Sequence, residues 1–218
     1  MLVSLTDRWI VSGPGRTGSK VIIDVLRRLY LDRLGSHLKY DAPNDSMESG
    51  LLPGHIKHSH CSSELVGLRS VNVIISTRNL IDSSLSWSIQ PHTGKWHSYV
   101  WNPPIKVIPF VLDPNTFLTH YNYGVQYYND LNSIDLSEAV VISYEEFKDD
   151  LQVIPTKLGF LPIGPLTKRP LILALTKNPW SPKDWILNWD EISDLCKTLE
   201  LDPRKFFTKL KAVNNENT

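Results

Sequence analysis

The segment Gly13-Pro14-Gly15-Arg16-Thr17-Gly18-Ser19-Lys20 joins three glycines to two hydroxyl residues and two cations. It follows the apolar stretch Trp9-Ile10-Val11 and precedes a run with helical periodicity, so it reads as the turn between a strand and a helix. In that setting the exposed backbone N–H groups and the positive helix end hold a phosphate-like anion. Without a ligand, the same glycines would serve only a tight turn at φ > 0. Among the side chains, Arg16 is the cation best placed inside the turn.

The elements that must position this turn can be read outward from it. Val21, Ile22, Val25, Leu26, Leu29 and Tyr30 recur at helical spacing, with Arg27, Arg28, Asp32 and Arg33 between them. Residues 35–54 are rich in Asp, Asn, Ser, Pro and Gly and read as a loop. Residues 55–60 read as a short strand that would put Ile56, His58 and His60 on one face. Val71-Asn72-Val73-Ile74-Ile75-Ser76 has the β-branched composition of a buried parallel strand, and a helix is expected through Leu80, Ile81, Ser84, Leu85 and Ser88. Residues 88–113, with Trp96, Trp101, Pro103, Pro104 and Pro109, are expected to form an insertion or lid.

Asp113-Pro114 opens a helix whose apolar side is Phe117, Leu118, Tyr121, Val125, Tyr128 and Leu131. Ala139-Val140-Val141-Ile142-Ser143-Tyr144 is a further buried strand, followed by a helix over 149–158, and residues 190–199 form a closing amphipathic helix. Strands alternating with helices predict a single α/β domain over residues 1–218. Its expected form is a three-layer α/β/α sandwich with a mainly parallel sheet and right-handed crossovers.

The turn has the spacing of the nucleotide-triphosphatase loop, G-x-x-x-x-G-K-[ST], with the last two residue types reversed. In that loop the lysine reaches the β- and γ-phosphates and the hydroxyl after it binds Mg²⁺. Neither of the two later strands ends in an aspartate suited to a metal, so a metal-dependent kinase is the less favoured reading. Pro14-Gly15-Arg16-Thr17-Gly18-Ser19 instead resembles the 5′-phosphosulfate loop of sulfotransferases that use 3′-phosphoadenosine 5′-phosphosulfate (PAPS). That loop runs Pro, an optional spacer, Lys or Arg, Ser or Thr, Gly, then Ser or Thr; Lys20 stands where many members carry Thr.

The family's second motif is a strand followed by Arg and, eight residues later, Ser. The run 71–77 followed by Arg78 and Ser86 is similar to it, and the resemblance covers about residues 8–150. It implies the sulfotransferase form of the P-loop fold. It also implies a donor site of Gly15, Arg16, Thr17, Gly18, Ser19 and Lys20 at the 5′ end, with Arg78 and Ser86 at the 3′-phosphate. A guanidinium at a strand end suits a phosphate dianion because it binds it bidentately.

Sulfuryl transfer to a hydroxyl or amine is an in-line displacement, so the protein positions groups and neutralises charge on the leaving oxygen, here through Arg16 and the loop amides. A base must take the acceptor proton, and histidine can do so at neutral pH. The family's Lys-Thr-His strand segment is similar to Ile56-Lys57-His58-Ser59-His60, in an ambiguous register. His60 is the first candidate and His58 the second; carboxylates at Asp41, Asp45 and Glu48 stay open. The family's late glycine-rich cofactor loop is not reproduced. Lys177-Asn178-Pro179-Trp180-Ser181-Pro182-Lys183-Asp184-Trp185 lies at a comparable place, and its tryptophans either stack on adenine or pack the closing helix.

Composition limits the partners. Lys+Arg 23 against Asp+Glu 23 leaves no formal net charge over 218 residues, so no global field draws in nucleic acid or an anionic membrane, and any anion site is local. Cys61 and Cys196 are the only cysteines, too few for a disulfide scaffold or a four-cysteine zinc site, and no metal is expected. No stretch resembles a secretory signal or a membrane span, so a cytoplasmic protein is expected. Aromatic residues from Trp87 to Tyr128 suit a sugar, a phenol or an apolar chain, with the lean toward a carbohydrate or small metabolite. Two other readings stay open: a P-loop nucleotide or small-molecule kinase, and a non-catalytic binding module of the same fold. PAPS would be the donor and adenosine 3′,5′-bisphosphate (PAP) the product.

Overall fold

Strands that are apolar on both sides have to be covered on both sides, and the runs around Ile10 and Ile74 meet that requirement in the middle of a parallel sheet, with the run around Ile142 at its edge. The structure is a computed structural model that describes residue 4 and residues 6–42, 51–93, 108–160 and 181–208. Among the described residues there are five strands: β1 (Trp9–Ser12), β2 (Lys39–Asp41), β3 (His55–Ser59), β4 (Asn72–Thr77) and β5 (Val140–Ser143). Their order is β2-β3-β1-β4-β5, and every neighbouring pair is parallel. Val11 lies opposite both His58 of β3 and Ile74 of β4, which sets the register at the centre of the sheet.

Side chains one residue apart on a strand point to opposite faces, and the core divides accordingly. Trp9 and Val11, with Ile56, Ile74 and Ile142, face α1 (Ser19–Leu34), α4 (Tyr144–Phe147) and α5 (Val153–Lys157). Ile10 and Ile75 face Tyr121, Tyr127 and Tyr128 of α3 (Pro114–Asp130) and Leu80 at the start of α2 (Leu80–Thr93). A third cluster joins Leu85 and Ile89 of α2 to Phe117, Trp185 and Ile192, the last from α6 (Trp189–Lys197). Helices thus cover both faces, which is the three-layer α/β/α arrangement with a parallel sheet. Among the described residues no helix is long and apolar enough to cross a membrane.

Local signals account for most boundaries. The Asp113 side chain accepts from the amides of Asn115 (3.1 Å) and Thr116 (3.2 Å), and Pro114 follows it, which starts α3 where the sequence predicts. Ser143 and Glu146 form a reciprocal capping box that starts α4 directly after β5. The helix expected over 149–158 is the shorter α5, and α4 is a separate turn of helix that precedes it.

Three expectations shift in detail. β2 lies inside the stretch read as loop; it is a three-residue edge strand with no apolar run to announce it. β3 ends at Ser59, so His60 is the first residue beyond the strand rather than its last. α2 extends to Thr93, into the expected insertion; residues 94–107 lie outside those described, and Phe110 then pairs with Ile186 in an isolated parallel bridge.

The topology also marks a place. The chain leaves β1 through α1 on one face toward β2, and leaves β4 through α2 and α3 on the other face toward β5. Neighbouring strands with connections that diverge in this way leave a crevice at their carboxyl ends, where ligands of open α/β sheets bind. The turn 13–18 leaves β1 there, and Arg78 leaves β4 beside it.

Candidate functional site

The turn after β1 is fixed by its neighbours on either side. Gly13 N donates to Ser59 O (3.2 Å) at the end of β3, and Ser76 Oγ on β4 donates to Thr17 O (2.9 Å). Gly18 caps α1 in the left-handed region at φ 84, where L side chains are strained, and a Cβ there would also meet Phe147 at 2.8 Å. Gly15 is required for a different reason: a Cβ would meet the Trp87 ring at 2.7 Å. Trp87 in turn stacks on His120 (4.7 Å, 12°) and meets Tyr123 edge-on (5.4 Å), so this indole wedges the turn against α3. The first intrahelical bonds run from Val21 and Ile22 to Gly18 O, which leaves the amides before them at the open end of the helix.

Cations and hydroxyls converge on that end. Arg16 sits at φ 69, a left-handed conformation uncommon outside glycine. Its carbonyl accepts from Arg78 Nη1 (3.1 Å), and its own Nε donates to Ser86 Oγ (3.1 Å). Arg78 is half-buried with its guanidinium 4.5 Å over the Tyr144 ring, and its Nε is buried with no hydrogen-bond partner. The Thr17 hydroxyl is likewise buried without a partner, 2.8 Å from where a Gly13 Cβ would stand, on the inside of the turn. Burial, and then the charge of Arg78, lowers the pKa of Arg16 from its ordinary value. Guanidinium stays charged in proteins, so the two cations remain side by side at the positive end of α1. The turn, Arg78 and Ser86 are therefore contiguous, with Arg16 touching both of the others.

The two histidines lie next to this cluster. Their rings meet edge-on at 4.4 Å. His60 Nδ1 is 2.9 Å from the Gly13 carbonyl, which can only accept, so Nδ1 carries a proton and in the neutral ring Nε2 keeps its lone pair. Tyr123 holds the backbone at this point by donating its hydroxyl to His60 O. His58 is buried, with Nε2 2.6 Å from Ser19 Oγ and Nδ1 3.4 Å from the Tyr40 hydroxyl. The arrangement of His60 fits a general base, whereas both nitrogens of His58 are engaged within the protein.

Other expected site residues lie elsewhere. Lys20 turns away from the turn it follows, and its Nζ is 3.6 Å from Asp24 Oδ1 and 3.6 Å over the Tyr40 ring. Burial lowers the pKa of Lys20 and raises that of Asp24 to about 6, so neither gains from the pairing what it loses in hydration. Asp41 is held by His55 Nδ1 at 2.8 Å on the edge of the sheet. Asp45 and Glu48 lie outside the described residues, as do Trp96, Tyr99, Trp101, Lys177, Asn178, Pro179 and Trp180. Trp185 packs in the core with Leu85 and Ile192, which is the packing role. Tyr121 is buried, and Phe110 stacks on His92 at 3.6 Å.

Tyr40, Tyr123 and the Trp87–His120 stack are the members of this region that the sequence did not single out for these contacts. Gly15 has no left-handed φ, so its need for glycine comes from the close approach of Trp87, which only the packing of α2 reveals. No known family model matches the chain, and no curated protein matches it.

Proposed function

We propose that the protein transfers a sulfuryl group from PAPS to a hydroxyl or amine of a carbohydrate or small metabolite. One observation carries the reading: Arg16 and Arg78 lie together beside the Ser86 hydroxyl at the start of α1, with Arg78 Nε and Thr17 Oγ1 buried and unpartnered. Two cations at a positive helix end repel each other until an anion joins them. Such a cluster suits a ligand with more than one anionic group, and the spacing of Arg78 and Ser86 supports the 3′-phosphate of the donor as the second of them.

The donor, when bound, supplies a sulfate whose S–O bond to the 5′-phosphate breaks as the acceptor oxygen or nitrogen bonds to sulfur. Arg16 and the amides at the start of α1 stabilise the charge that grows on the leaving phosphate oxygen. Arg78 and Ser86 hold the 3′ end and fix the orientation of the adenosine. His60 Nε2 takes the proton released by the acceptor, because its Nδ1–H is committed to Gly13 O. PAP leaves with the negative charge.

Titration with PAP, with ATP, and with ATP plus Mg²⁺ tests the donor, followed by transfer of labelled sulfate from PAPS across a panel of hydroxyl and amine acceptors. Tighter binding of PAP without metal, together with labelled product, is the expected result. Preference for ATP with Mg²⁺ assigns the turn to phosphoryl transfer. Binding of PAP with no transfer to any acceptor makes the chain a binding module.

A further inference from the structure

The contact between Ser19 and His58 is not used by the scheme above. Ser19 is the first residue of α1, directly after the left-handed Gly18, and belongs to the turn that faces the anion. Its hydroxyl lies 2.6 Å from His58 Nε2, with Ser19 4% exposed and His58 7% exposed. On the other side of the ring, the Tyr40 hydroxyl lies 3.4 Å from Nδ1. Three groups, from β2, β3 and α1, thus form a line that ends at the anion-binding turn. The unpartnered, fully buried hydroxyl of Thr17 inside the same turn independently marks that turn as a ligand site.

A hydroxyl has one proton, and this line allows it only two directions. If Ser19 donates to His58, its lone pairs face the turn and repel an oxyanion. If His58 Nε2–H donates to Ser19, the serine proton is free to point at the anion, and Nδ1 is left to accept from Tyr40. An anion at the start of α1 selects the second arrangement, because a hydrogen bond to a charged group is stronger than one between neutral groups. Around this line the His60 ring meets His58 edge-on, and Lys20 sits over Tyr40 with Asp24 as its partner.

We propose that His58 is a positioning residue for the anion: with ligand bound, its Nε2–H donates to Ser19 Oγ, and Ser19 donates to a phosphate or sulfate oxygen. This rests on the anion-site reading of the turn and adds a residue that acts through another. It also separates the two histidines, since His60 keeps Nε2 free to accept a proton while His58 uses Nε2 to give a hydrogen bond. No bond is made or broken at His58.

Imidazole ¹⁵N NMR of the whole chain saturated with PAP reads the tautomer directly and needs no variant. The expected spectrum has a proton on His58 Nε2 in the complex, whether the ring is neutral or doubly protonated. Calorimetry then compares variants with PAP as the probe. Ser19→Ala and His58→Phe each weaken binding by ~10-fold or more, the double variant is no weaker than the worse single one, and His58→Gln, whose amide still donates, recovers most of the loss. An unprotonated Nε2 in the complex, or additive losses in the double variant, overturns the proposal while leaving the donor site intact. If PAP fails to bind, the same spectrum is taken with inorganic sulfate. Binding of sulfate alone refutes the donor reading and still judges His58, whereas binding of neither anion refutes both.

Discussion

Between Gly13 and Ser19 the groups proposed to meet an anion are mostly main-chain amides, in a turn shaped by two left-handed residues, Arg16 and Gly18. At the end of β3 the proposed chemistry instead sits on two imidazole rings, one with its Nδ1 proton set by the Gly13 carbonyl and the other between two hydroxyls. The first region is set by backbone shape, so its sensitivity lies in the absence of side chains. The second depends on single protons, so its sensitivity lies in hydrogen-bond partners. On the proposed function, these two adjoining regions should fail in different ways when altered: the turn by steric crowding and lost affinity, and the end of β3 by lost proton transfer.

The largest separation is expected at His60. His60→Ala should lower turnover by ~10²-fold or more, measured as labelled sulfate transferred, while PAP affinity by calorimetry changes little. Retained turnover would remove the base from the end of β3 and erase the contrast. Arg78→Ala is the converse case. With its Nη1 bonded to Arg16 O and its Nε unpartnered, its loss should weaken PAP binding by roughly 10- to 100-fold, in line with one or two charge-assisted hydrogen bonds. Adenosine 5′-phosphate, which lacks the 3′ group, should lose much less. Equal losses for both ligands would mean that Arg78 serves only to hold the turn.

How far each region was legible follows from the same difference. The turn and the strands on either side of it were readable because glycine placement and β-branched runs are local properties of the chain. Arg78 and Ser86 were readable as a spacing, but the bond from Arg16 to Ser86 joins residues 70 apart and depends on how α2 packs. β2 was not readable, since Lys39-Tyr40-Asp41 has one apolar residue and owes its strand form to pairing with β3. That miss hid Tyr40 as a neighbour of His58. His60 was expected on the strand face beside His58; the rings do meet, but His60 lies past the last strand residue, where Gly13 O and Tyr123 set its position. Lys20 follows the turn directly in sequence, and helix geometry sets it one turn from Asp24.

A stability measurement sharpens the steric half of the comparison. Gly15→Ala should cost about 1–3 kcal/mol by urea unfolding, because the added methyl group meets the rigid indole of Trp87 at 2.7 Å rather than the end of a flexible chain. In a Trp87→Ala background the same substitution should cost less than about 0.5 kcal/mol, since the obstructing ring is gone. A penalty that persists there would place the requirement for glycine in the ligand-facing backbone and not in the wedge.

The smallest expected effect concerns the cation that the turn does not use. Asp24 is buried, and its pKa is raised to about 6 from the ordinary 3.8, chiefly by desolvation. Between those two values the native protein holds a proton that the unfolded chain has released, so this group makes stability fall as pH rises from about 4 to about 6 and adds no further change above that. Asp24→Asn removes the titration. The stability of the variant relative to the natural chain should therefore rise by on the order of 1–2 kcal/mol between about pH 4.5 and pH 7, read from urea midpoints at matched ionic strength. A difference that stays flat or falls would show the Lys20–Asp24 pair to be a net stabiliser, strong enough to overcome its burial. The outcome bears on the pocket, because a pair that is costly at neutral pH is one the fold retains while Lys20 is kept away from the turn. Arg16 and Arg78 are then left as the two cations that an anion at the start of α1 would meet.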